Sequence, residues 1–105
     1  MDQATINEII YFLKGLLISE GVRVESIALF GSALNGKMDI DSDIDMIIVS
    51  SDFTGLDIID RAKLTMKPEI ETMKKYKVPM DIINLTPDEY QESSNKLFYQ
   101  SKVIA

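Results

Sequence analysis

Three short runs of β-forming apolar residues, Val24 to Phe30, Ile44 to Val49 and Val78 to Leu85, are separated by stretches whose apolar residues recur at helical spacing. That alternation confines the chain to a mixed α/β (α+β) architecture, in which a small mixed sheet is flanked by helices. Ile6, Ile9, Ile10, Leu13, Leu16 and Leu17 mark the first helix, and Gly21 marks its stop. Ser32 to Asn35 suits a short helix closed by Gly36, and Lys37 to Ser42 a polar loop. Beyond Gly55 the helical pattern puts Ile59, Ala62, Met66, Ile70 and Met73 on one face. Met66 and Met73 read as core residues rather than as a partner groove, and Pro68 predicts a kink or a second helix start. Thr86-Pro87-Asp88-Glu89 combines a capping residue, a first-turn proline and early acids, and predicts a helical stretch to about Ile104. The pattern does not fix the strand directions.

At 105 residues the chain is the size of one domain, spanning residues 1–105, with 46% hydrophobic and 27% charged residues as in ordinary globular proteins. No run approaches the length of a membrane span, and the N-terminus lacks the basic and apolar regions of a secretory signal, which predicts a cytoplasmic protein. Cysteine and histidine are both absent, so disulfides, zinc clusters, thiol nucleophiles and imidazole bases are excluded. Any chemistry must run on oxygen ligands. The net charge of −6 argues against direct binding to nucleic acid or to an anionic membrane, since both need clustered Lys and Arg.

The segment from Gly31 to Met46 carries aspartates at alternate positions 39, 41, 43 and 45. Gly31, Gly36 and Lys37 fit the start of a phosphate-binding P-loop, but Met38 stands where a magnesium-binding Ser or Thr is required, and an acidic loop replaces the expected long helix. Asp39, Asp41 and Asp43 fit the first ligands of a calcium loop, but Ile44 and Ser50 then occupy the positions that need Gly and Glu. A third reading follows from strand geometry. Alternate residues face the same way, so Asp43 and Asp45 project two carboxylates whose backbones are roughly 7 Å apart, while Ile44 and Met46 turn to an apolar face.

Two carboxylates held that closely call for a cation, and hard oxygen donors favour Mg2+ or Mn2+. Asp81, between Met80 and Ile82 on the third strand, is placed to complete the set and to accept a proton from an acceptor hydroxyl; its alternative is a structural pair with Lys77 or another basic residue on its face. Gly31 permits close backbone approach, and Ser32 can donate its hydroxyl to a terminal phosphate or serve as a turn residue. Asp39 and Asp41 read as members of a solvated loop. Phe98 and Tyr99, being adjacent, face different sides of a helix, which leaves one for a partner.

Gly31-Ser32, a ten-residue gap, Asp43-Ile44-Asp45 and a later strand carrying Asp81 together resemble the polymerase-beta-like nucleotidyltransferases, above all the minimal nucleotidyltransferases that include antitoxins of the MntA type. Ala28-Leu29-Phe30, Ser42 and Thr86-Pro87-Asp88-Glu89-Tyr90 extend the resemblance over nearly the whole chain. It implies transfer of a nucleoside monophosphate, most often AMP from ATP, to a hydroxyl with release of pyrophosphate. It also implies a partner similar to a helical HEPN-domain toxin, modified on a tyrosine. By position, Gly31 and Ser32 would bind the triphosphate, Asp43 and Asp45 the metals, and Asp81 both metal and acceptor. Relatives commonly carry an arginine where this chain has Asn35, so a domain that neutralises its partner by binding alone is the alternative.

Overall fold

The computed structural model describes residues 1–31, 34, 43–95 and 100–105. Helix α1 spans Gln3–Ser19, strand β1 Ser26–Phe30, strand β2 Ile44–Val49, helix α2 Ile58–Tyr76, strand β3 Met80–Leu85, helix α3 Pro87–Asn95 and strand β4 Ser101–Val103. The four strands form one mixed sheet in the order β3-β2-β1-β4. β1 runs antiparallel to both β2 and β4, whereas β2 and β3 are parallel. The mixed sheet flanked by helices is the expected architecture.

The Asp2 side chain caps α1 by accepting from the Thr5 N–H at 2.8 Å, and Ile6, Ile9, Ile10, Leu13 and Leu17 form its buried face. These residues pack on Ile27, Leu29, Ile44, Met46 and Ile48 from one side of the sheet, with Phe53 and Val78 closing the core. The opposite side holds a smaller cluster of Ala28, Ile47 and Val49, against which Phe30, Ile83, Leu85 and Tyr90 lie. Period-two alternation along β2 thus feeds two apolar layers, which is why the strand reads as a nearly continuous apolar run.

Three expectations are corrected. Pro68 does not start a second helix, because α2 is continuous through it. The proline is itself buried. The face of α2 carrying Ile59, Met66 and Ile70 is not core: these residues are 67%, 54% and 40% exposed. The body of the protein is met instead by Thr65, Pro68 and Thr72, whose hydroxyls are satisfied within the helix; Thr72 Oγ1, for instance, donates to the Pro68 carbonyl at 2.8 Å.

The third correction concerns the C-terminus, where α3 ends at Asn95 and Ser101–Val103 is a strand. Without β4 the outer edge of β1 would expose its backbone groups; Ile27 instead donates to Ala105 and accepts from Ile104, both at 2.9 Å. The short helix expected over Ser32 to Asn35, the loop from Lys37 to Ser42, and Phe98 and Tyr99 lie outside the described residues. No described helix is long and apolar enough to cross a membrane.

Candidate active site

The parallel pairing of β2 with β3 sets Asp45 directly beside Asp81, followed by Ile47 beside Ile83 and Val49 beside Leu85. Neighbouring strands lie about 4.8 Å apart, so the two carboxyl groups share one sheet face and one level along it. Asp43 immediately precedes β2, and β1 delivers Gly31 to the same end of the sheet. Asp45 is half-buried, whereas Asp43 and Asp81 are exposed. No ion pair joins Asp81 to Lys77 among the described residues.

Burial, then the Asp81 carboxylate, then the Asp43 carboxylate push the Asp45 carboxyl above its ordinary range. All three causes oppose a negative charge on Asp45, and a bound cation would reverse the two electrostatic ones. As the side chains stand, no three acidic groups among the described residues converge closely enough to hold a metal ion. Like charges repel, so unneutralised carboxylates spread; the donor chemistry still suits a hard divalent cation, and rotation of exposed Asp43 and Asp81 costs little packing.

Gly31 has φ +66, in the left-handed region, and a Cβ there would collide with the Asp45 Oδ2 oxygen and lie 3.2 Å from its Cγ. The glycine therefore serves two purposes: it turns the chain after β1, and it leaves the space that the Asp45 carboxylate fills. Gly31→Ala is expected to destabilise the protein by about 1–2 kcal/mol through backbone strain alone, and to displace Asp45. Urea unfolding would measure the first effect, and a magnesium-ATP titration the second. Ser32, the other expected nucleotide-binding residue, lies outside the described residues, as do Asn35, Lys37, Asp39 and Asp41.

A cavity of about 460 Å³ lies elsewhere, between α2, β3 and α3, and its lining includes none of the three aspartates. Arg61 and Glu89 stand at its wall, joined by two bonds at 2.6 and 3.2 Å. Arg61 also donates to the Leu56 carbonyl at 2.9 Å and to the Asn84 carbonyl at 3.0 Å. Glu89 closes a capping box with Thr86, and its carboxyl is held below the ordinary range chiefly by the bond from Arg61. The sequence pattern shows Glu89 only as an early acid of a helix start. Its pairing with Arg61, which ties α3 to α2, has no local signal.

Comparison with known proteins agrees with this architecture. The family model described as polymerase beta, nucleotidyltransferase, matches residues 13–105. No curated protein matches the chain. Among solved structures, a candidate nucleotidyltransferase from Sulfolobus solfataricus superposes with a TM-score of 0.58 at 19% identity, over 98% of this chain and 87% of that one. A chain from a toxin-antitoxin structure with AMP-PNP superposes with a TM-score of 0.61 at 22% identity, over 94% of this chain and 72% of that one. At such identities the likeness is one of fold.

Proposed function

Because the chain belongs to the polymerase beta nucleotidyltransferase family, we propose that it is a metal-dependent nucleotidyltransferase that transfers AMP from ATP to a hydroxyl, a tyrosine of a HEPN-type toxin, as the antitoxin of that pair. The observation that carries the reading is the register of Asp45 beside Asp81, with Asp43 one alternate position away and Gly31 opening the space beside Asp45.

Asp43, Asp45 and Asp81 are the residues that would hold Mg2+ or Mn2+. The cation would supply charge neutralisation to the triphosphate and to the three carboxylates. Gly31 brings the backbone close to the phosphates, and Ser32 donates its hydroxyl to them. Asp81, exposed at the start of β3, accepts the proton of the attacking hydroxyl. The acceptor oxygen forms a bond to the α-phosphorus while the bond to the pyrophosphate oxygen breaks, so AMP moves to the acceptor and pyrophosphate leaves. The open position of Asp81 on a sheet face suits an acceptor carried on another protein's surface. The cytoplasm, which supplies ATP and magnesium, is the compartment for such a reaction.

A second reading is a binding module of the same fold that neutralises its partner without turnover. Asn35, where relatives commonly carry arginine, favours it. Incubation of the protein and a native cell extract with magnesium and labelled ATP separates the two. Label on an acceptor protein's tyrosine, absent with Asp43→Asn/Asp45→Asn, is the expected result. An unlabelled partner that still co-purifies with the double variant would establish the binding module.

A further inference from the structure

We propose that the exposed apolar stripe of α2 is a docking surface for an amphipathic helix of another protein whose flank is acidic. Ile59, Ala62, Met66, Ile70 and Met73 are spaced three, four, four and three residues apart. At about 100° per residue all five fall within about 40° of Met66, in a line about 21 Å long. This is the residue pattern with which helices pack on helices, yet Ile59 and Met66 are more than half exposed. The buried direction of α2, marked by Thr65 and Thr72, lies about 100–120° away on the helix. Met73 at its end is half-buried, so the exposed run is Ile59 to Ile70, and an exposed apolar line of that kind marks an interaction surface.

Charge identifies the occupant. Lys63, Lys67 and Lys74 all lie about 60–100° to one side of Met66, forming a basic edge along the stripe of a chain whose net charge is −6. The side chains of Lys63 and Lys67 are 70% and 72% exposed, and their contacts with Asp60 at 3.7 Å and Glu20 at 3.3 Å are surface pairs of small worth, which an approaching carboxylate can replace. A second copy packed antiparallel across a two-fold axis would set this lysine edge against itself. An apolar helix face bordered by Glu or Asp meets both the stripe and the edge. The surface would hold the partner invoked in the proposed function, and it depends on that reading only for the partner's identity, since no site aspartate takes part.

The test uses two dye-labelled synthetic peptides of about 18 residues, each with leucines on one helical face, flanked by glutamates in one and by lysines in the other. Anisotropy titration at low salt should show the glutamate peptide binding at least about tenfold more tightly than the lysine peptide. Met66→Glu should weaken it by at least about tenfold, with an unchanged thermal melt, and Lys63→Glu/Lys67→Glu should reverse the peptide preference. Asp45→Asn should leave binding intact, which separates this surface from the nucleotide site. Equal or absent binding of the two peptides, or binding unaffected by Met66→Glu, would overturn the proposal. So would a concentration-dependent dimer in sedimentation that Met66→Glu abolishes, which would assign the stripe to a second copy.

Discussion

Asp45→Asn is expected to lower nucleotidyl transfer by roughly 10²–10³-fold, the usual cost of removing one preorganised electrostatic group, while raising the melting temperature of the metal-free protein. The two effects have one origin. Asp45 sits level with Asp81 and one alternate position from Asp43, and burial and both neighbours raise its carboxyl above the ordinary carboxylate range. Its charged form is therefore less favourable in the folded chain than in the unfolded one. Below the unfolded value Asp45 is protonated in both states, and the variant has no advantage. As pH rises from the unfolded value through the folded one, the wild type loses stability that the uncharged Asn keeps, so the gap in melting temperature opens over that interval and persists at neutral pH. Magnesium should close the gap by stabilising the wild type and not the variant. Melts across pH 3 to 8, with and without magnesium, measure all of this; a variant less stable than wild type at neutral pH would refute the account of Asp45.

Arg61→Ala should be the most damaging substitution outside the apolar core, at about 2–3 kcal/mol. The Arg61 side chain is only 13% exposed and bonds the Leu56 carbonyl, the Asn84 carbonyl and both Glu89 oxygens. Glu89 is 43% exposed, so screening leaves its ion pair worth little by itself; most of the loss comes from carbonyls left without a donor. A loss of that size lowers the melting temperature by roughly 10–20 °C in a domain of this length. Arg61→Lys keeps the charge but not the planar fork, and should recover less than half of the loss. A drop of under about 2 °C for Arg61→Ala would show that these bonds are dispensable.

The strands were legible as short runs of β-forming apolar residues, as in Ile44 to Val49, and the separation of Asp43 and Asp45 from Ile44 and Met46 follows from the two-residue period of a strand. The pairing of Asp45 with Asp81 was not legible, because register between strands separated by a whole helix is set by tertiary packing and not by either strand's own pattern. The α2 face misled for a related reason. Helical periodicity reports that a face is apolar but not whether it meets this chain or another, and the body of the protein took the Thr65, Pro68 and Thr72 face instead. The C-terminal strand has no signal of its own, because its three residues are too few to show a period, and what holds them is the open edge of β1.

The central claim is that Asp43, Asp45 and Asp81 bind nucleotide through a divalent cation, and the most direct measurement is calorimetric titration of ATP into the purified protein with magnesium, with a chelator, and with magnesium on Asp43→Asn/Asp45→Asn. Saturable binding seen only with magnesium and only with the intact carboxylates is the predicted result. ATP binding that persists in the chelator or in the double variant would contradict the account and move the nucleotide away from the β2-β3 carboxylates.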